Sequence, residues 1–338
     1  MDRPGWVALG VAAIFCASSA GTYLILRFAN SLGLIDVPNA RSSHHRPTAR
    51  GGGGAIAIVL LASFGVLAAN GWLNRPQFLT LAGGGCAIAV IGFLDDRWSI
   101  PARVRICVHG IAALLAIALL GWIEIPGIGS AAKWLSAAVS IIGVMWYVNL
   151  FNFMDGIDGI AASEAIFIAL AGAWLNDLHH GQWGISVSLL FLAAANLGFL
   201  VWNWPPARIF MGDSGSGLCG FALAALALAA SRSSALPLET WLILSGVFVV
   251  DATVTLARRI FRGAQWYAAH RSHAYQQLAR RFKAHLPATL AVIAVNVFWL
   301  LPWAWYAEVA PTNAPFALIA ALGPLIVLAV LAGAGAKE

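Results

Sequence analysis

Charged residues are scarce in this chain: they make up 10% of its 338 residues, whereas hydrophobic residues make up 60%. Soluble domains carry about 25% charged residues, so the composition excludes an ordinary soluble enzyme and a disordered chain. Too few polar side chains are present to cover one soluble core. We therefore predict an all-α fold that crosses a membrane many times, with residues 1–338 forming a single transmembrane domain.

Cysteine is also scarce, with four residues in the whole chain. Each lies within an apolar run, which favours small buried side chains over disulfides or a metal–thiolate site. The net charge of +6 would point to nucleic acid in a soluble protein. In a membrane protein we interpret it as a topology signal and as attraction for anionic lipid or phosphate, so no nucleic-acid partner is expected.

Long apolar runs predict about eleven transmembrane helices, since about 20 residues cross a bilayer. The predicted spans are residues 5–27, 54–73, 77–94, 104–123, 133–149, 160–175, 185–203, 215–230, 239–258, 287–306 and 314–333. With segment 28–53 inside, sixteen of the twenty Lys and Arg residues lie on the cytoplasmic side. The positive-inside rule then places the N-terminus outside, in the periplasm, and the C-terminus in the cytoplasm.

Polar residues gather on that same face, in segments 28–53, 95–103, 149–159, 203–216 and 259–286. The first segment contains Asn39, Arg41 and His44 and ends in the glycine run Gly51–Gly54. Glycines that open a helix leave backbone N–H groups able to approach a phosphate. The alternative is a basic loop followed by glycines that let helices pack closely.

Two adjacent carboxylates, Asp95 and Asp96, end the third predicted span. Such a pair repels itself unless a cation intervenes, and Mg²⁺ takes one or two carboxylates together with substrate phosphates. The alternative is a solvated helix end, although two acids there oppose the helix dipole. Arg105 and His109 follow, four residues apart, and share a helix face.

The third polar segment repeats a polar residue at every third position: Asn149, Asn152, Asp155 and Asp158. Two Asp-Gly pairs predict that the helix ends here in a tight loop. Amides and carboxylates this close together at a membrane indicate that they bind something polar. Turn chemistry with a helix cap explains one Asp-Gly pair, but it does not explain the whole strip.

In the fourth segment, Arg208 and a Gly-Asp-Ser-Gly-Ser turn with Asp213 and Ser214 precede an apolar helix. This pattern is typical either of a metal–phosphate cradle or of a helix that Asp213 or Ser214 caps. Asp251, inside the ninth span, is either functional or a structural partner of a basic side chain.

The last segment contains His270, Arg271 and His273. A helix would present the two histidines together, which suits binding of a diphosphate or a sugar. A zinc pair is disfavoured because no third ligand lies nearby in the sequence. The alternative is a basic amphipathic helix that lies on anionic lipid.

Taken together, these motifs resemble the polyprenyl-phosphate N-acetylhexosamine-1-phosphate transferases of glycosyltransferase family 4. The resemblance covers residues from about 30 to 285, in family order. It rests on the patterns Asp-x-Pro-Asn-x-Arg-x-x-His, Asp-Asp, Asn-x-x-Asn-x-x-Asp-Gly-x-Asp-Gly, Phe-Met-Gly-Asp-x-Gly-Ser and the final His loop.

The resemblance implies roles for individual residues. Asp95, Asp96, Asp158 and His273 would be catalytic, and Asp213, Asp96 and Asp158 would bind Mg²⁺, with Mn²⁺ as the alternative ion. The substrate-binding residues would be Asn39, Arg41, His44, Arg105, Asn149, Asn152, Asp155, Arg208, Ser214, His270 and Arg271.

The final loop distinguishes branches of the family. The GlcNAc-directed branch reads Asp-Arg-x-His-x-His-His, whereas residues 270–276 read His-Arg-Ser-His-Ala-Tyr-Gln. This form resembles the branch that initiates O-antigen with UDP-FucNAc, UDP-QuiNAc or UDP-GlcNAc donors. The resemblance therefore implies transfer of a HexNAc-1-phosphate from a UDP-sugar to undecaprenyl phosphate, with release of UMP, in a bacterial inner membrane. A homodimer is a further expectation.

The rival functions are a transporter or flippase for a polyprenyl-linked sugar and a non-catalytic membrane scaffold. Transporters usually place ionisable residues near the membrane midplane, often in broken helices within internal repeats. Here the acidic residues crowd one interface and no repeat is found, which favours the transferase. A scaffold would not need an acid-rich face that can take a cation.

Overall fold

The structure is a computed structural model that describes residues 3–38, 46–124, 132–178, 181–233, 236–264 and 270–336. The described part is a helical bundle. Its helices are α1 (Arg3–Leu32), α2 (Gly53–Ala69), α3 (Arg75–Trp98), α4 (Ala102–Leu120), α5 (Lys133–Met154), α6 (Ile160–Leu178), α7 (Trp183–Asn203), α8 (Asp213–Arg232), α9 (Leu238–Leu244), α10 (Gly246–Phe261), α11 (Ala274–Phe282), α12 (His285–Val309) and α13 (Ala314–Ala332).

Every predicted span has a helical counterpart, and the all-α membrane class is confirmed. Within the described ranges, nine helices are long and apolar enough to cross a membrane. A tenth span results if α9 and α10, which meet at a bend of 80°, are counted as one broken helix. The remaining candidate, α2, has 17 residues and falls short of a full span. The total of eleven and the orientation in the membrane stay predictions.

The centre of the bundle is formed by α6, α7 and α8, in which most residues are buried. Helix α8 packs on both α3 and α5, and α7 packs on α1 and α6. The outer helices instead expose large apolar side chains, among them Trp134, Phe298 and Ile319. Exposed apolar surface of this extent is stable only against lipid, so the chain is a multi-pass membrane protein.

One feature of the fold lies outside the helical prediction. Residues Ile35–Asp36 (β1) and Thr48–Ala49 (β2) form a short antiparallel ladder. The backbone of β2 continues onto the turn before α8, because Phe210 N–H donates to the Ala49 carbonyl over 2.8 Å. The segment before α2 is thereby attached to the start of α8.

The glycine run that follows β2 serves packing. Gly52 N–H donates to the Phe210 carbonyl at 3.0 Å, and Gly53 N–H donates to the Met211 carbonyl at 2.8 Å. These two N–H groups already have protein partners, so they are not offered to a phosphate. The structure therefore favours the helix-packing alternative for this run.

Candidate active site

The end of α3 meets the start of α8 through Asp96. Its buried carboxylate accepts from the backbone N–H of Asp213 at 3.0 Å and from that of Ser214 at 3.3 Å. An acidic group at a helix N-terminus is stabilised by the helix dipole. The predicted cap of α8 is thus wrong in one respect: neither Asp213 nor Ser214 caps it with its own side chain, and Asp96 from another helix does so. The alternative interpretation of Asp96 as part of a solvated helix end is also wrong, because Asp96 is buried.

Arg105, on α4, lies between two of the predicted acids. Its Nη1 atom is 2.6 Å from Oδ2 of Asp95 and 2.5 Å from Oδ2 of Asp213. One guanidinium group therefore neutralises two carboxylates on separate helices. Arg50, which precedes the glycine run, adds a second positive group by donating to the Asp96 backbone carbonyl.

Asp155 completes this group directly after α5. Burial raises the pKa of its carboxyl group well above the usual range, and the negative charges of Asp213, Asp96 and Asp158 raise it further. A hydrogen bond from the Gly212 backbone offsets part of the rise. We call Asp95, Asp96, Asp155 and Asp213 the acidic centre.

The acidic centre has the donor chemistry that a hard divalent cation takes, namely carboxylate oxygens. As the side chains stand, no three His, Cys, Asp or Glu residues in the described ranges surround one point closely enough to hold a metal ion. The guanidinium of Arg105 occupies the space between Asp95 and Asp213. The carboxylate chemistry of the acidic centre is compatible with Mg²⁺ or Mn²⁺, and the metal stays a prediction.

Asn149 and Asn152, both predicted to bind substrate, connect α5 to the neighbouring helices α4 and α8 through side-chain contacts. Asn149 Nδ2 lies 3.3 Å from Nδ1 of His109 on α4, and it also donates to the Met145 carbonyl at 2.7 Å. Asn152 Nδ2 donates to Oγ of Ser216 on α8 at 3.2 Å. The Ser214 hydroxyl is buried next to this contact and finds no partner among the described residues.

Beside the acidic centre lies a second feature, a cavity of about 850 Å³ that we call the basic cleft. Its lining includes Arg46, Asp158, Phe210, Arg271, Arg280, Lys283 and His285. Five of the fifteen lining residues are basic and only Asp158 is acidic, so the charge of the lining favours an anionic ligand. The cleft brings together residues from four of the predicted polar segments, the last of which reaches the start of α12 at His285.

Asp158 lies in the wall of the basic cleft with both carboxylate oxygens engaged. Oδ1 is 3.0 Å from Nδ1 of His285, and Oδ2 accepts from the Ala207 backbone N–H at 3.0 Å. Its predicted catalytic and metal-binding roles stay predictions. His285 was missed by the sequence reasoning, as was Arg50. The position of His285 directly before an apolar run was the available signal.

The final His loop differs from its predicted form. His270 and His273 precede α11 and lie outside it. The prediction that a helix presents the two histidines together is therefore wrong. Their rings nevertheless stack, with centroids 5.0 Å apart. His273 is buried against Asp251, and Arg271 lines the basic cleft.

Four predicted substrate-binding residues remain: Arg208, Asn39, Arg41 and His44. Arg208 is exposed, and its guanidinium lies over the Trp202 ring, 5.8 Å from the ring centroid. Asn39, Arg41 and His44 lie outside the described residues.

Comparison with known proteins connects this geometry to a family. The family model described as glycosyl transferase family 4 matches residues 78–231. The decaprenyl-phosphate N-acetylglucosaminephosphotransferase of Mycobacterium tuberculosis is 30% identical over 298 residues, which cover 78% of this chain and 73% of the relative. The chain belongs to glycosyl transferase family 4. The resemblance to its polyprenyl-phosphate N-acetylhexosamine-1-phosphate transferases is thereby confirmed.

Other members of the family are similar over comparable lengths. The probable undecaprenyl-phosphate N-acetylglucosaminyl 1-phosphate transferase of Bacillus subtilis is 28% identical, over 81% of this chain and 78% of the relative. The undecaprenyl-phosphate alpha-N-acetylglucosaminyl 1-phosphate transferase of Escherichia coli K12 is 23% identical, over 81% and 77%. The family match contains the acidic centre, whereas His273 and His285 lie beyond its end.

Proposed function

We propose that the protein transfers an N-acetylhexosamine-1-phosphate from a UDP-sugar to undecaprenyl phosphate, giving the lipid diphosphate sugar and UMP. The observation that carries this proposal is the acidic centre beside the basic cleft, at one end of a membrane bundle. A diphosphate donor needs positive charge along its binding site, and the basic cleft supplies it. The names of the relatives, which are all polyprenyl-phosphate or muramoyl-pentapeptide sugar-phosphate transferases, agree with this chemistry.

In the proposed reaction, an acceptor phosphate oxygen attacks the sugar-bearing phosphorus of the donor. A new P–O bond forms there, the bond to the uridine-bearing phosphate breaks, and UMP leaves with that oxygen. Two anions must approach each other, so neutralisation of charge dominates the barrier. A phosphate monoester has a second pKa of about 6 and is already mostly dianionic at pH 7, so a general base is not required.

The described residues divide this work between them. Arg271, Arg280 and Lys283 in the basic cleft bind the donor diphosphate. Arg105 leaves its bridge between Asp95 and Asp213 and contacts the phosphate that carries the developing charge. Asp213, Asp155 and Asp96 would hold Mg²⁺ or Mn²⁺, which when bound lowers the repulsion between donor and acceptor.

The lipid tail of the acceptor requires an apolar path to this site. A cavity of about 210 Å³ lies between α5, α8 and α9, and its lining includes Val139, Val144, Leu238, Trp241 and Leu242. It is almost wholly apolar and lies beside the break between α9 and α10. We place the distal part of the isoprenoid chain there, because the lining residues of α8, from Ala224 to Leu228, are more than ten residues along that helix from Asp213.

We further propose that the reaction takes place at the cytoplasmic face of a bacterial inner membrane and begins O-antigen or another surface polysaccharide. The donor is a UDP-N-acetylhexosamine. The form of the His270–Gln276 loop favours a FucNAc or QuiNAc sugar, whereas the three relatives reported above are named for N-acetylglucosamine.

The test uses purified protein in lipid nanodiscs with UDP-GlcNAc, UDP-GalNAc, UDP-QuiNAc or UDP-FucNAc, with and without undecaprenyl phosphate. UMP release that requires both substrates supports the transferase. Absence of UMP with every donor contradicts the transferase and favours the flippase or the scaffold. Activity confined to UDP-GlcNAc contradicts the assignment to the FucNAc and QuiNAc branch.

A further inference from the structure

Asp251, in α10, is a buried acid that the proposed reaction does not use. The residue is 3% exposed, and four groups donate to its two carboxylate oxygens. Oδ1 accepts from Thr255 Oγ1 at 3.0 Å, from His273 Nδ1 at 3.3 Å and from Ala274 N–H at 2.8 Å. Oδ2 accepts from Tyr275 N–H at 2.9 Å. A buried carboxylate with this many donors is fully compensated, and it fixes every group that it binds.

The first consequence concerns the His loop. The hydrogen bonds to Ala274 and Tyr275 cap the N-terminus of α11, so the helix begins directly after His273. A carboxylate oxygen accepts only, so the proton of the His273 contact is on Nδ1. The contact therefore selects the tautomer that carries its proton on Nδ1.

The second consequence reaches the acidic centre through Tyr275. The Tyr275 hydroxyl donates to the Phe153 carbonyl at 3.0 Å, just before Asp155. The same oxygen lies 2.1 Å from the point where a Cβ atom on Gly156 would stand. Tyr275 thus contacts the loop that carries Asp155, and a side chain larger than glycine at position 156 would collide with its hydroxyl.

The His loop is also held from its other side. Gly335 N–H donates to the Ser272 carbonyl at 2.7 Å, and the Ser272 hydroxyl lies 3.0 Å from His270 Nδ1. The rings of His270 and His273 stack on each other, and the His273 ring stacks on Tyr275 at 5.7 Å. The loop is therefore held from several sides: Asp251 attaches it to α10, and Arg259 of the same helix adds a contact of 3.5 Å to the Ser272 hydroxyl.

We propose that Asp251 is a positioning residue for the transfer reaction, which sets His273 and, through Tyr275, the Asp155 loop in their working places. The inference rests on the proposed function. It differs from a structural ion pair in one respect. It requires Asp251, which binds the Tyr275 backbone, and the Tyr275 hydroxyl, which binds the Phe153 carbonyl, to act on the same step.

The test is a double-mutant cycle on kcat with Asp251→Asn, Tyr275→Phe and the combined variant. Asn keeps the shape of the side chain but loses the charge and one acceptor. We expect Asp251→Asn to lower kcat by about 10–100-fold, with a smaller change in donor KM, because supporting contacts of this kind carry effects of that size. The combined variant should lose little more than Asp251→Asn alone, since the two changes break one relay.

Thr255→Val is the matched control, because it removes one hydrogen bond from the same carboxylate and leaves the relay intact. Its kcat should stay within about 2-fold of the wild type. The proposal is overturned if the Asp251→Asn protein folds and keeps the wild-type kcat. It is also overturned if the fold-loss of kcat in the combined variant equals the product of the losses in the two single variants. If Asp251→Asn does not fold, Tyr275→Phe alone decides, since unchanged kcat in that folded variant also overturns it.

A second measurement separates this inference from the proposed function. The imidazole ¹⁵N shifts of His273, assigned with a His273→Gln sample, should show Nδ1 protonated in the wild type and a tautomer mixture in Asp251→Asn. This result does not depend on turnover. A wild type that is inactive with every donor refutes the proposed function, whereas a tautomer mixture in the wild type refutes the role of Asp251.

Discussion

Oδ1 of Asp96 accepts a hydrogen bond from the backbone N–H of Asp213 over 3.0 Å, which joins the end of α3 to the start of α8. We expect Asp96→Asn to lower both stability and activity. An amide keeps one acceptor oxygen and turns an NH₂ group towards the second N–H donor, that of Ser214. An unsatisfied buried N–H costs about 1–3 kcal/mol.

Thermal melting and turnover in nanodiscs check this prediction. The control is Asp177→Asn, the same chemical change at an exposed acid near the end of α6. Equal melting temperatures for the two variants would contradict the capping role of Asp96.

Arg105 should contribute far more to turnover than its neighbour on the same helix. Arg105→Met removes the guanidinium that neutralises Asp95 and Asp213, and we expect kcat to fall by about 10²–10³-fold. Arg103→Met, which changes an exposed arginine two residues earlier, should have little effect. Similar kcat values for the two variants would remove Arg105 from the reaction.

Gly92 tests the close contact between α3 and α8. A Cβ atom at this position would stand 2.5 Å from the carbonyl carbon and oxygen of Asp213, so Gly92→Ala must displace the start of α8. We expect a protein that remains in the membrane with kcat lowered at least about 10-fold, because small displacements of reacting groups are costly. Gly83→Ala, in the same helix with its nearest neighbour at 3.6 Å, should behave like the wild type. Full activity of Gly92→Ala would contradict the placement of Asp213.

His285 should affect donor binding more than the chemical step. His285→Ala leaves Oδ1 of Asp158 without its partner in the basic cleft, so we expect donor KM to rise by about 10-fold while kcat changes little. His285→Asn supplies an N–H close to the position of Nδ1 and should restore much of the lost affinity. A fall in kcat at constant KM would place His285 in the reaction itself.

The sequence could predict which segments meet, because acidic and basic residues are costly in a membrane bundle unless they collect at one interface. On this basis it placed the segments that carry Asp95, Asp96, Asp155 and Asp213 on one face, although it assigned the metal to Asp213, Asp96 and Asp158. It could not predict that Asp96 caps α8 or that Arg105 bridges two carboxylates. Those contacts depend on how three helices pack, and no spacing along the chain encodes that packing.

Two other differences have local causes. His270 and His273 were expected on a helix because they are three residues apart, but the side chain of Asp251 caps that helix at Ala274 and leaves both histidines before it. The glycines before α2 were compatible with a phosphate loop, yet their N–H groups bind carbonyls of the 210–211 turn, a partner more than 150 residues away in the chain. His285 was missed because its partner, Asp158, is equally remote.

The most direct test of the proposed transfer follows the donor's second phosphate. A UDP-N-acetylhexosamine that is ³²P-labelled on the sugar-bearing phosphate is incubated with undecaprenyl phosphate and the purified protein, beside an Asp213→Asn variant. The account predicts label in the lipid product, unlabelled UMP, and loss of lipid label in the variant. Label that remains in released UDP, or lipid labelling that Asp213→Asn leaves unchanged, would contradict it.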